Sequence, residues 1–188
     1  MPWSTRLVIH CKTKEEAEKI LEAVRRRLAE VKLRIKESKT RIVYCKDYRR
    51  KGKHEQVQFE FLGFSFQPRP RKSKVAEGMT FMAFTAEISQ SNQKRIREII
   101  ARTPIWRNTT IPIDEIAKYL NPQIRGWINY YGFLSKKKLR RVMQKIDLRI
   151  IQWIKEKYKV RYRKAFGKRR LIKAENPNLF YHWESGYS

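Results

Sequence analysis

Acidic residues are scarce in this sequence. It has 18 Asp and Glu against 45 Lys and Arg, which gives a formal net charge of +27 over 188 residues. A compact chain with this much positive charge repels itself unless a polyanion neutralises it. Nucleic acid is the commonest such partner, and an anionic membrane surface is the alternative. The charge balance therefore favours a nucleic-acid-binding protein.

Cysteine and long apolar segments are also scarce. Cys11 and Cys45 are the two cysteines, and neither belongs to a CxxC pair. Because both lie in short apolar runs, we interpret them as reduced thiols of the core, which fits a cytoplasmic protein. No stretch approaches the roughly 18 apolar residues that span a bilayer, so no membrane partner is expected. The apolar run near the N-terminus is also too short for a signal peptide.

Residues for catalysis or metal binding are not grouped. His10, His54 and His182 share no metal-ligand spacing with one another or with a cysteine. Gly-rich phosphate loops, GxSxG and HExxH are absent. The acidic residues lie mainly beside Lys and Arg, where solvated ion pairs are the usual arrangement. We therefore expect no catalytic residues, no metal and no cofactor in this chain.

The first third of the chain has the pattern of mixed α and β structure. Leu7 to Cys11 predicts a strand, and Thr13 with Glu16 predicts a capping box that opens a helix. Two short strands are predicted at Lys32–Lys36 and Arg41–Lys46. One face of the helix is predicted to be buried, namely Ala17, Ile20, Leu21, Val24 and Leu28.

A hairpin is predicted next. Val57 to Phe66 alternates apolar and polar residues, which indicates a strand, and Gly63 within it suggests a bulge or a close backbone approach. The segment "QPRPRKSK" that follows is predicted to be a basic loop, and Met79–Ile88 a second strand that pairs with the first.

Helical periodicity begins after residue 88. Ser91 is predicted to cap a helix that Pro104 ends, and a second helix begins near Ile113. That helix is predicted to pause at Asn121-Pro122, an N-cap followed by proline. Ser135 is predicted to cap a long helix with a continuous apolar stripe, formed by Leu139, Val142, Met143, Ile146, Ile150, Trp153 and Ile154.

These patterns predict an α+β chain with two domains. Residues 1–88 would form a mixed domain of strand, helix, strand and strand followed by the hairpin. Residues 89–188 would form a helical domain.

Cations with interleaved aromatics dominate the second domain. From Lys136 to Lys173 there are 17 Lys or Arg, and only Asp147 and Glu156 oppose them. Tyr158, Tyr162 and Phe166 recur among them at four-residue steps. Such an array suits phosphate contacts with aromatic stacking on unpaired bases. The alternative is a solvated basic face above core aromatics.

The segment "NPQIRGWINYYGF" at 121–133 has two sides if it is helical. Ile124, Trp127, Ile128 and Tyr131 share one face and are interpreted as core. Arg125 and Asn129 are neighbours on another side and are candidates for contacts with a phosphate or a base edge. Gly126 costs a helix about 1 kcal/mol relative to alanine, so we expect another backbone to approach it closely.

Several segments, in order, resemble group II intron reverse transcriptases with a maturase domain. "LNPQIRGWINYYGF" is similar to the signature of the maturase-specific domain. "LVIHCKTKEEAEKILEAVRRRLAEVKLRIKESKTRIVYCKD" resembles the palm segment after the catalytic turn, and its "ESKT" departs slightly from the usual proline-glutamate-lysine-threonine. "NPNLFYHW" is similar to the family's C-terminal ending. "FEFLGFSFQPR" resembles the primer-grip hairpin, which implies primer-grip-like roles for Phe61, Leu62, Gly63 and Phe64.

The resemblance has one large departure. The family's Tyr/Phe-Ala-Asp-Asp turn precedes the strand matching Leu7–Cys11, but this sequence has "MPWSTR" there. The fingers, most of the palm and the zinc-containing endonuclease tail of some relatives are absent as well. The resemblance therefore implies a C-terminal fragment, the end of the palm with the thumb or X domain, without polymerisation by this chain alone.

The function expected from residues and resemblance together is binding of structured group II intron RNA, with assistance to its folding and splicing. The alternatives are the thumb subunit of a split RNA-directed DNA polymerase acting in trans, and a non-specific nucleic-acid binder. Possible further partners are DNA, an RNA–DNA hybrid, and a chain supplying the missing palm and fingers. The candidate RNA-binding residues are Arg125, Asn129, Tyr130, Lys136, Lys137, Lys138, Arg140, Arg141, Lys145, Arg149, Arg161, Arg163, Lys164, Lys168, Arg169 and Arg170.

Overall fold

The structure is a computed structural model that describes residues 7–50, 52–73 and 78–188. Its class is α+β, as predicted: a small three-stranded sheet is followed by a helical region. The chain divides into two compact units. The N-terminal unit comprises the residues up to 61 together with 66–85, and the helical unit comprises 62–65 together with 86–188. The predicted domain boundary at residue 88 stays a prediction.

The N-terminal unit contains helix α1, Lys14–Glu30. Its start is as predicted, because the Thr13 hydroxyl accepts a hydrogen bond from the Glu16 backbone N–H at 3.1 Å. The partner bond departs from a capping box, since the Glu16 carboxylate accepts from the N–H of Lys12. The predicted apolar face is the least exposed side of α1, but its residues are half-buried and none is fully buried.

Three strand predictions were wrong. Residues 7–11, 32–36 and 41–46 form no strand, and a short 3-10 turn at Glu37–Lys39 lies between the last two. A strand is completed only by hydrogen bonds to a neighbouring strand, so an apolar run without a partner stays irregular. Leu7 and Ile9, predicted to lie in a strand, are instead exposed.

The sheet has the order β1-β2-β3, formed by Phe59–Phe61, Phe64–Lys72 and Thr80–Ile88. The single strand predicted at 57–66 is therefore two strands. They are joined by a tight turn at Leu62 and Gly63, whose φ angles are +47° and +81°, as a two-residue hairpin turn requires. The basic loop predicted after this segment was wrong in part, because residues 67–72 continue β2.

The helical unit contains α2 at Gln90–Arg102, a 3-10 turn at Pro104–Arg107, α3 at Ile113–Tyr158, α4 at Tyr162–Glu175 and α5 at Tyr181–Glu184. Helix α2 is capped by Ser89, so the prediction that Ser91 caps it was wrong. The Ser89 hydroxyl accepts from the N–H of Asn92 at 3.2 Å, the three-residue distance that an N-cap side chain spans.

Helix α3 runs through Asn121-Pro122 without the predicted pause. Proline costs the helix one hydrogen bond, and burial of Leu120 and Ile124 on either side offsets that loss. The side chain of Asn121 does not cap a helix: it donates to the carbonyl of Leu179 at 3.0 Å and accepts from the N–H of Tyr181 at 2.9 Å. Asn121 thereby joins α3 to the C-terminal segment.

The interruption in α3 lies at Ser135, whose φ and ψ are −136° and 31°. Its hydroxyl accepts a hydrogen bond from the buried N–H of Ile88 at 2.6 Å, so it does not act as the predicted cap. The end of β3 thus fixes the point at which α3 bends.

The fully buried core lies in the helical unit. Every residue of the predicted stripe on the second half of α3 is buried, and so are Ile96 and Ile100 of α2 and Trp106. In the described part of the N-terminal unit no residue is fully buried. Cys11 and Cys45 lie there as free, half-buried thiols, so their predicted place in a core was wrong. Burial raises the pKa of the Cys45 thiol.

Candidate nucleic-acid interface

Ten of the predicted RNA-binding cations lie exposed on the second half of α3, at the N-cap of α4 and along α4. In the part of the chain that the structure describes, none of the ten is paired with a carboxylate. We call this set the cationic face. It consists of Lys136, Lys137, Arg140, Arg141, Lys145, Arg161, Arg163, Lys164, Lys168 and Arg170.

Two members of the cationic face have other contacts that fix their side chains. Arg140 donates to the carbonyl of Gly186 at 2.7 Å, and the ammonium of Lys168 lies 4.3 Å from the centre of the Tyr158 ring. Both keep their charge exposed, because a carbonyl and an aromatic ring do not neutralise it.

Three other predicted cations are partly withdrawn into the protein. The Lys138 ammonium forms an ion pair with Glu87 at 2.6 Å. The Arg149 guanidinium lies 5.8 Å from the centre of the Trp106 ring and is half-buried. The Arg169 side chain is only 12% exposed and forms an ion pair with Asp147. These contacts occupy the charged groups, so we rank them below the cationic face as RNA contacts.

Asp147 is the centre of a buried polar cluster that sequence reasoning missed. One of its oxygens, Oδ1, accepts from the indole N–H of Trp183 at 2.7 Å and contacts Nε2 of His182 at 3.1 Å. The same oxygen pairs with Arg169, whose guanidinium also lies 5.1 Å from the centre of the Trp183 ring. The cluster joins α3 and α4 to the C-terminal "NPNLFYHW" segment. One signal pointed to it, because Asp147 falls on the apolar stripe of α3.

Burial acts in opposite directions on the two acid–base groups of this cluster. Burial lowers the pKa of His182 below its ordinary value, and the neighbouring Asp147 offsets this only in part. Burial would raise the pKa of Asp147, but hydrogen bonds from His182, Arg169 and Trp183 outweigh it and the pKa lies below its ordinary value. At neutral pH the cluster therefore holds a carboxylate beside a neutral imidazole that donates from Nε2.

The candidates for more specific contacts, Arg125, Asn129 and Tyr130, are all exposed on the first half of α3. Arg125 lies over the Tyr181 ring, 4.8 Å from its centre. Among the residues that the structure describes, no other segment approaches Gly126: a Cβ built there would meet nothing within 4 Å outside its own helix backbone. The expected close approach of another backbone within this chain was therefore wrong.

The primer-grip-like turn and Tyr130 are brought together, which the sequence did not predict. The Tyr130 hydroxyl donates to the carbonyl of Leu62 at 2.9 Å, and its ring lies 5.5 Å from that of Phe64. Gly63, where a bulge or a close backbone approach was predicted, lies in the hairpin turn, and two side chains approach it closely. A Cβ there would lie 2.5 Å from Nδ2 of Asn92 and 2.7 Å from the hydroxyl of Tyr131. Phe61 ends β1 and is half-buried.

The three aromatics at four-residue steps do not lie on one helix. Tyr158 ends α3 and Tyr162 begins α4, and Lys159 between them has a left-handed backbone with φ of +53°. Tyr162 and Phe166 share a face of α4, and all three rings are about half exposed. They remain accessible beside the cationic face.

The described residues hold no group of three or more His, Cys, Asp or Glu that would bind a metal ion. Across the same residues, no helix is both long and apolar enough to cross a membrane.

Fold and interface together define an α+β protein with a highly basic helical unit. Residues 90–171 match the family described as group II intron, maturase-specific domain. Residues 7–66 match the family described as reverse transcriptase (RNA-dependent DNA polymerase). Comparisons with curated proteins and with solved structures found no match.

The helical unit therefore resembles a group II intron maturase-specific domain, preceded by a segment that resembles a reverse transcriptase, and the two matches indicate a function related to that of group II intron maturases. The two matches, in this order, confirm the resemblance stated from the sequence. The maturase match includes Arg125, Asn129 and Tyr130 on the first half of α3 and all ten residues of the cationic face.

Proposed function

We propose that the chain binds structured group II intron RNA through its helical unit and assists the folding of that RNA for splicing. The observation that carries this proposal is the cationic face, ten exposed cations without a carboxylate partner in the described residues. When such cations contact phosphates, they displace counterions that were condensed on the nucleic acid. The release of these counterions makes binding favourable and dependent on the salt concentration.

Rigidity supports the same proposal. The second half of α3 is anchored by a fully buried stripe, and α4 is tied to it through the Asp147 cluster. Cations on helices held in this way keep a fixed spacing, so little conformational entropy is lost when a folded RNA with matching phosphates binds. A maturase that stabilises one RNA fold requires such a fixed array.

The experiment measures affinity for a group II intron RNA, and for an unrelated structured RNA of equal length, over a range of salt concentrations. The variant replaces Lys137, Arg141 and Lys145 by alanine, since these three lie at four-residue steps on one side of α3. We expect weaker binding and a salt slope smaller by about 2 to 3, because each lost phosphate contact removes roughly one unit.

A matched control replaces three exposed cations of the N-terminal unit, Lys19, Arg26 and Arg34, and so removes the same total charge. If both triple variants lose the same affinity, net charge is responsible and the cationic face has no special role. Equal affinity of the unaltered chain for both RNAs would identify a non-specific nucleic-acid binder.

The reverse-transcriptase match over residues 7–66 favours one alternative, a thumb subunit that works in trans with a chain supplying palm and fingers. The test is primer extension by a chain that carries the paired aspartates, with and without the present protein. Extension only in its presence would favour this alternative over a maturase that acts alone.

A further inference from the structure

The most exposed large apolar side chain of the described residues lies in the middle of α3. Phe133 is 95% exposed, although a phenylalanine is usually buried. Tyr119 and Tyr130 on the same helix are 50% and 51% exposed. Phe64 and Tyr131 pack beside the Tyr130 ring, yet half of that side chain stays exposed, and Phe133 is nearly uncovered by the described residues. An exposed apolar surface of this kind indicates a binding site.

Helical spacing places these rings in one row. Tyr119, Gly126 and Phe133 are seven residues apart, about two turns or roughly 10.5 Å of rise, and Tyr130 follows Gly126 by four. We call these four residues the aromatic stripe. Gly126 lies at its middle and is exposed, and beyond its own helix backbone no atom of the described residues lies within 4 Å of the position a Cβ would take. A glycine here weakens the helix and leaves space for the close approach of a ligand.

Tyr130 is the member of the stripe whose side chain the described contacts hold in place. The hydroxyl of Tyr130 is fixed on the carbonyl of Leu62, and its ring meets that of Tyr131 edge to face at 4.7 Å. Two residues after Phe133, the bend at Ser135 is fixed by the N–H of Ile88. Because the Tyr130 ring is held in place before binding, it loses little entropy when a ligand stacks on it.

The charge around the stripe decides the class of ligand. No Asp or Glu occurs between Glu115 and Asp147, whereas eight Lys or Arg do. Two of these, Lys136 and Lys137, are exposed one turn beyond Phe133. Protein interfaces are depleted in lysine, but sites for single-stranded nucleic acid combine cations with aromatic rings.

We propose that unpaired bases of RNA stack on the aromatic stripe, with the sugar–phosphate backbone passing over Gly126 and toward Lys136 and Lys137. This inference rests on the proposed function and deepens it, because it assigns unpaired nucleotides to the first half of α3. Bases inside an A-form duplex stack on one another and do not offer their faces to a side chain, so paired RNA does not use this surface.

The test compares the affinity of the full chain for a short oligouridine with its affinity for an RNA duplex of equal length. Stacking on one aromatic side chain is worth about 5- to 150-fold in affinity. We expect Phe133→Ala to lose that much on oligouridine and nothing on duplex. Phe133→Trp should retain binding, and Phe133→Leu should not, since leucine keeps an apolar surface but has no aromatic face.

Two further variants sharpen the comparison. Leu171→Ala removes another exposed apolar side chain of the helical unit, 63% exposed on α4, and should leave both affinities unchanged. Gly126→Ala adds a methyl group that meets no other segment of the described chain, so a drop in oligouridine affinity would report a ligand at that point. A fluorescent base analogue in the oligouridine should lose its stacking signal with Phe133→Ala.

The inference is overturned if the unaltered chain binds RNA and both Phe133→Ala and Phe133→Leu bind oligouridine with the affinity of the unaltered chain. Loss of self-association or of a protein partner in Phe133→Ala, with both RNA affinities unchanged, would overturn it in favour of a protein interface. Failure of the proposed function looks different, because the unaltered chain would then show no preference for intron RNA or no RNA binding at all.

Discussion

Replacing Asp147 by alanine should destabilise the helical unit more than any exposed substitution on α3. The loss removes the shared acceptor of the Trp183 indole N–H and the His182 ring, and it leaves the Arg169 guanidinium, 12% exposed, without its counter-charge. Breaking a buried ion pair from one side typically costs about 3–5 kcal/mol. Because whole domains are stable by only about 5–15 kcal/mol, this is a large fraction of the total.

The assay is urea unfolding followed by tryptophan fluorescence and circular dichroism at neutral pH. Asp114→Ala is the matched control, because it removes the same charge from an exposed position on the same helix and should change the free energy of unfolding by less than about 0.5 kcal/mol. Asp147→Asn keeps an oxygen acceptor, so its change in the free energy of unfolding should lie between those of Asp147→Ala and Asp114→Ala.

A double-mutant cycle separates the hydrogen bond to Trp183 from general loss of packing. Trp183→Phe removes the indole N–H donor, so it should cost less in the Asp147→Ala background than in the unaltered chain. If Asp147→Ala costs less than about 1 kcal/mol, or if the two substitutions are simply additive, the cluster does not join α3, α4 and the C-terminal segment in the way we describe.

Two other predictions concern stability. Burial lowers the pKa of His182, so below about pH 6.5 the unfolded chain binds a proton that the folded chain does not bind. The free energy of unfolding should therefore fall as the pH is lowered from about 7.5 to 5.5. Urea unfolding at both pH values should show a smaller fall in His182→Gln. Gly132→Ala should lower the free energy of unfolding by about 1–3 kcal/mol, because the new Cβ would overlap the hydroxyl of Tyr187. In thermal unfolding, adding Tyr187→Phe to Gly132→Ala should restore part of the lost Tm. An unchanged Tm in Gly132→Ala alone would contradict this contact.

Helices were predicted well because their signals are local. Thr13 caps α1, and the seven residues of the α3 stripe are all buried, since both patterns depend on neighbours within one or two turns. Strands were predicted poorly, because a strand needs a partner distant in sequence. Residues 7–11 have a strand-like composition and no partner in the structure, so they stay irregular.

The bend of α3 shows the same division between local and distant contacts. Asn121-Pro122 has the local signal for a break, yet the helix continues there because its neighbours are buried and the Asn121 side chain binds the C-terminal segment. The interruption lies at Ser135, where the long helix was predicted to begin, but its hydroxyl accepts a hydrogen bond from Ile88, 47 residues away in the sequence, which no local pattern indicated.

By itself, the sequence determined the excess of positive charge, the α+β class, the maturase-type signature and the cations of α3 and α4. Each follows from composition or from short-range spacing. Only the tertiary structure decided which cations stay exposed, that Asp147 joins Arg169, His182 and Trp183, and that Phe133 is left uncovered. These depend on which surfaces meet when distant segments come together, and no local pattern specifies that.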